Sequence, residues 1–142
     1  TSSKLKSIIQ IALETGMRQG EILRIKRENI NDKSLFIPFA KTKPRKIPLT
    51  TKAIEILNNV VLPFELSGMA VSKQFNKLCK FYNIKDARFH DLRRQALTNF
   101  MKDKKLTVAE TMYISGHSDP RMLLGVYNNL KCEDISDKIN GN

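Results

Sequence analysis

The stretch FHDLRRQ sets His90 and Arg93 three residues apart, with Arg94 alongside. Residues at i and i+3 share one face of a helix, so His90 and Arg93 can reach the same anionic atom near a helix start. For an isolated HxxR, a histidine hydrogen-bonded to backbone at a helix end is the plainer alternative. Arg18, in TGMRQGE, poses the same choice. It is either an exposed cation paired with Glu21 or a guanidinium that holds a phosphate beside the free N–H groups of a helix start. His117 follows Gly116 directly, and Tyr127 lies ten residues later. The segment KTKPRK gathers Lys41, Lys43, Arg45 and Lys46, which are either a solvated charge run or a grip on backbone phosphates.

Helical elements must position most of these residues. In SKLKSIIQIALETG the apolar Leu5, Ile8, Ile9, Ala12 and Leu13 recur with helical spacing, Ser2 or Ser3 can cap the start, and Gly16 suits the end. EILRIKREN continues as a second helix, just after Arg18 and Gly20. SLFIPFAKTKPRKIPL reads as a hairpin with Pro38 and Pro48 at strand ends or edges, where a missing N–H does least harm. TKAIEILNNV is a helix capped by Thr50 or Thr51. SKQFNKLCKFY is another, with Val71, Phe75, Leu78 and Phe81 or Tyr82 on its apolar side. DLRRQALTNFMKD follows with Asp91 as N-cap. Thr107 and Glu110 have capping-box spacing for a helix that closes at Gly116, and Asp119-Pro120 opens a last helix through RMLLGVY. The expected fold is mainly α with a small antiparallel β-sheet (α+β), a single domain over residues 1–142.

Composition narrows the partners. The 142 residues carry 25 Lys plus Arg against 14 Asp plus Glu, a net charge of +11 that favours an anionic partner, nucleic acid above all. Cys79 and Cys132 form no CxxC pair, so neither a disulfide framework nor a zinc ribbon is indicated, and the thiols suit a reducing compartment. No apolar run reaches the roughly 18 to 20 residues of a membrane span, and no signal peptide opens the chain. The start, TSSKLKSIIQ, has no Met and runs straight into a helical pattern, as an excised domain would.

Taken together and in this order, TGMRQGEIL, AKTKPRK, HDLRR, SGHSDP and VYNN resemble the active-site motifs of the tyrosine recombinases, the phage integrase family. The resemblance runs from about residue 12 to residue 128, and ordered motifs at compatible distances are far more specific than any one alone. It implies that Arg18 and Arg93 clamp a scissile phosphate, that His90 and His117 assist, and that Tyr127 attacks. Lys41 is implied as the general acid, with Lys43 as its alternative. Lys43, Arg45, Lys46 and Arg94 would touch the DNA backbone, Arg94 lying about 100° round the helix from Arg93.

The resemblance further implies a catalytic domain of a site-specific DNA recombinase. Strands would be cut and rejoined through a 3′-phosphotyrosine, with no metal, cofactor or ATP, and no GxxxxGK[ST] motif is present. Double-stranded DNA would be the partner, with a tetramer on two sites as the active assembly, in the cytoplasm of a bacterial or phage-bearing cell. The family's N-terminal core-binding domain has no counterpart in this chain. Residues 1–130 would form the core, and 131–142 a tail that either frays or packs on a neighbour. Two alternatives remain: a noncatalytic DNA-binding module of the same fold, and a type IB topoisomerase-like enzyme or telomere resolvase using the same chemistry.

Overall fold

The computed structural model describes residues 2–38, 43–123 and 132–141. Helix α1 (Ser3–Thr15) starts where the Ser2 hydroxyl accepts the Leu5 N–H, and stops at Gly16, whose φ of 70° lets its N–H return to the Ala12 carbonyl. A β-carbon is disfavoured there twice over, by the left-handed backbone and by Leu97 Cδ2, which would stand 3.1 Å away. The buried face of α1 is Leu5, Ile8, Ile11, Ala12 and Thr15, whereas Ile9 and Leu13 are only half-buried. Each large apolar side chain so buried contributes about 1.5–3 kcal/mol.

The expected second helix is much shorter. α2 covers Gln19–Leu23, and a separate 3-10 turn covers Arg27–Asn29. Between them Lys26 is extended (φ −112°, ψ 153°), and its N–H donates to the Asn29 side chain at 3.0 Å. Asn competes with the helix for backbone donors in this way, and the break leaves both Ile22 and Ile25 buried.

Strands β1 (Ser34–Ile37) and β2 (Arg45–Pro48) pair antiparallel, with Leu35 opposite Ile47 and Ile37 opposite Arg45. Alternation turns Leu35, Ile37, Arg45 and Ile47 inward and leaves Phe36 and Lys46 exposed. Then come α3 (Thr51–Asn58), capped by Thr50, and α4 (Gly68–Phe81), capped by Ser67. On α4 the buried residues are Val71, Phe75 and Cys79, and Phe81 and Tyr82 are exposed rather than apolar-face residues.

α5 spans His90–Lys102. Asp91 is not its N-cap but sits in its first turn, where the carboxylate accepts the Arg88 N–H at 2.7 Å. Phe89, just before it, meets Phe75 edge to face at 5.7 Å. α6 (Val108–Ser115) opens with the expected Thr107–Glu110 capping box and ends at Gly116, φ 81°. Pro120–Leu123 form a 3-10 turn anchored by buried Leu123; the continuation to Tyr127 lies outside the described residues. Part of the expected tail is helical, as α7 (Cys132–Ile139).

α1 is the hub, packing on α5, α3, α2 and α4, while α6 packs on β2 and α5. The left-handed ends of α1 and α6 therefore meet at the start of α5. Among the described residues no helix is long and apolar enough to cross a membrane.

Candidate active site

A helix that ends in a left-handed glycine exposes carbonyls that its own turns cannot satisfy. Two such ends converge here, and Arg93, from the first turn of α5, ties them together. Its Nη1 donates to the Gly16 carbonyl at 2.6 Å and its Nη2 to the Ser115 carbonyl at 2.7 Å. Arg93 is only 2% exposed. Burial, then the charge of Arg18, lowers its pKa to about 9, with Glu21 opposing that shift. It remains a cation at neutral pH in a setting that a nearby anion would improve.

Arg18 occupies the turn between α1 and α2 as the N-cap of α2. Its Nη1 also reaches the Ser115 carbonyl, at 3.4 Å, so one oxygen links both arginines. Arg18, His90 and Arg93 line a hollow of about 250 Å³, together with Met17, Gln19, Ser72, Arg88 and Phe89. His90 is exposed at its mouth. Burial first, then the charges of Arg93, Arg18 and Arg94, lower its pKa against a smaller upward pull from Asp91.

His117 borders this hollow through Arg93, its Nε2 standing 3.4 Å from Arg93 Nη2. Its Nδ1 lies 2.8 Å from Ser115 Oγ, which also accepts the His117 N–H at 3.2 Å. A ring nitrogen facing a guanidinium donor is suited to be the unprotonated one, so the tautomer that fits carries its proton on Nδ1. Burial, followed by the charges of Arg93, Arg18, His90 and Arg45, lowers the His117 pKa to about 4. The imidazole is therefore neutral at pH 7.

The linkage has a definite sign. A folded-state pKa of about 4 against an ordinary 6.5 means that the unfolded chain binds more protons in between. Stability is full above pH 6.5 and falls as pH drops through 4. His117→Gln should show a shallower fall in melting temperature across that window, with His90 and the carboxylates of lowered pKa, Glu21 among them, supplying the part that remains. Equal slopes for the two proteins would exclude a neutral His117 in the folded state.

Sequence reasoning missed a second layer beneath these residues. Glu21, 4% exposed, and Arg45, 8% exposed, form a buried two-pronged pair, with Arg45 Nη1–Glu21 Oε2 at 2.8 Å and Nη2–Oε1 at 3.0 Å. Arg45 Nε donates to the Ile114 carbonyl at 2.8 Å. The expected DNA contact at Arg45 is therefore corrected: its strand turns it inward, and Glu21 and Ile114 occupy the fork. Burial raises the Glu21 pKa, but the hydrogen bonds from Arg45 and the Arg18 N–H, with both positive charges, outweigh that and leave it lowered.

Lys43 and Lys46 are exposed. Lys46 borders a shallow hollow with Asp32, Lys33 and Tyr113. Arg94 is a surface cation, 3.5 Å from Asp91. Lys41 and Tyr127 lie outside the described residues. The inner cluster therefore holds three guanidiniums against one carboxylate, with a neutral imidazole beside them, an arrangement suited to a tetrahedral oxyanion.

Comparison with known proteins bears on the chain's kinship and fold. Residues 1–62 match the phage integrase family. A putative integrase/recombinase of Haemophilus influenzae is 34% identical over 135 residues, covering 88% of this chain and 44% of that protein. The shufflon-specific DNA recombinase of Escherichia coli is 31% identical over 140 residues, covering 93% of this chain and 36% of the recombinase. The chain thus spans less than half the length of these relatives.

Among solved structures, the Tn1549 transposon integrase in complex with transposon right end DNA superposes with a TM-score of 0.77 at 17% identity, covering 96% of this chain and 58% of that one. A lambda integrase dimer bound to a core site gives a TM-score of 0.73 at 21% identity, covering 89% and 42%. At such identities the structural likeness speaks for the fold, and the sequence matches speak for descent. Over residues 1–62 the chain matches the phage integrase family, and along most of its length it is similar to integrases and recombinases.

Proposed function

We propose that residues 1–142 are the catalytic domain of a site-specific DNA recombinase, and that the hollow between the α1–α2 turn, α4 and the start of α5 receives the scissile phosphodiester. The observation that carries this reading is the convergence of Arg18 and Arg93 on one small hollow, with the neighbouring carboxylate already paired to Arg45. In the proposed reaction the Tyr127 phenolate attacks phosphorus, the P–O5′ bond breaks, and Lys41, or Lys43 in its place, gives a proton to the leaving 5′ oxygen. Negative charge gathering on the nonbridging oxygens meets fixed guanidinium donors. The 3′-phosphotyrosine conserves the ester bond, so attack by another 5′-hydroxyl reverses the step without ATP.

Double-stranded DNA is the proposed substrate, bound by exposed cations including Lys43, Lys46 and Arg94, with salt-dependent affinity. A tetramer on two sites is the proposed assembly, acting on DNA in the cytoplasm. The test is a nicked duplex carrying the recombination site, incubated in chelator with the full-length protein that contains these residues. A covalent protein–DNA adduct with a free 5′-hydroxyl is the expected product. Salt-dependent binding without an adduct would instead mark a noncatalytic module, and relaxation of plasmids lacking the site would mark a topoisomerase-like enzyme.

A further inference from the structure

Glu21 is the one carboxylate among the causes that shift Arg93, and its Oε2 lies 3.9 Å from Arg18 Nη1. A carboxylate this close can do what a phosphate does: accept from both clamp guanidiniums and cancel their charge. Its two oxygens instead take the fork of Arg45 at 2.8 and 3.0 Å, and Oε1 also accepts the Arg18 N–H at 3.0 Å. Arg45 is in turn fixed by the Ile114 carbonyl. It is also roofed by Gly116, where an added β-carbon would stand 3.1–3.2 Å from Nη1, Cζ and Nε.

From this geometry we infer that Arg45 is a positioning residue that holds Glu21 away from the phosphate clamp, so that an unpaired Glu21 would occupy the clamp in the phosphate's place. The inference rests on the phosphate-clamp reading of the hollow. It gives strand β2 a part in the chemistry, because the hairpin delivers Arg45 from one side while α6 closes over it from the other. Only a planar fork can hold both carboxylate oxygens in this way, so lysine is no substitute.

The experiment follows His90 and His117, the chain's two histidines, by imidazole NMR during titration with inorganic phosphate. Arg45→Met should weaken phosphate binding about tenfold, the scale of one charge-assisted hydrogen bond. Glu21→Gln should tighten it about threefold by removing a neighbouring negative charge. The double variant R45M/E21Q should recover most of the affinity lost in R45M, which a purely structural role would not allow. Phosphate binding in the double variant no tighter than in R45M, or weaker in E21Q than in the wild type, overturns the inference. If R45M does not fold, the E21Q titration alone decides. No response from the wild-type protein would instead remove the clamp reading itself.

Discussion

Tyr127→Phe should leave no covalent adduct on the nicked substrate, a loss on the order of 10⁴-fold or more, as when a covalent nucleophile is deleted. The phenylalanine keeps the ring and removes the only atom that would bond to phosphorus, so DNA affinity should stay within about twofold of the wild type. The other two tyrosines are placed badly for the role. Tyr82 is exposed beyond the end of α4, edge to face with Phe81. Tyr113 is exposed on α6, beside Lys46 and Pro48 of the hairpin. Neither lines the hollow that holds Arg18 and Arg93. An adduct of undiminished yield from Tyr127→Phe, mapped by peptide sequencing to another residue, would overturn the assignment.

Arg93→Lys should be nearly as damaging, for two separable reasons. A lysine ammonium cannot reproduce a fork that spans the Gly16 and Ser115 carbonyls at 2.6 and 2.7 Å. One buried acceptor loses its partner, at a cost of about 1–3 kcal/mol that urea unfolding would read directly. The directed donors facing the phosphate also go, which should slow adduct formation about 100- to 1000-fold at a temperature where the variant is folded. Cleavage within about threefold of wild type would show that Arg93 is structural only.

What the sequence disclosed was mainly what is local. The Ser2 cap, the Thr107–Glu110 box and the glycines after α1 and α6 are encoded within a few residues, and the structure has them where the spacing put them. EILRIKREN was harder, because helical propensity over nine residues yielded to the Asn29 side chain and to the burial of Ile22 and Ile25. Phe81 and Tyr82 carry the helical period of an apolar face, yet α4 buries Cys79 instead. The short motifs already singled out Arg18, His90, Arg93 and His117, and the structure brings them to one place. Glu21 was visible only as a partner for Arg18. A signal for Arg45 did exist: Arg45 and Ile47 alternate with Lys46 and Pro48 along β2, so a strand that buries Ile47 must also bury Arg45. The density of positive charge at KTKPRK concealed that alternation.

Both short hydrogen bonds of Arg93 end on main-chain oxygens, those of Gly16 and Ser115. No exchange of side chain can delete a carbonyl, so the guanidinium's anchorage is insulated from sequence drift along α1 and α6. Their outward positions are free to diverge between lineages while the clamp keeps its shape. Selection acts there on the path of the chain at its two left-handed corners, and a mutational scan should find tolerance at the outward positions of both helices that stops abruptly at Gly16 and Gly116.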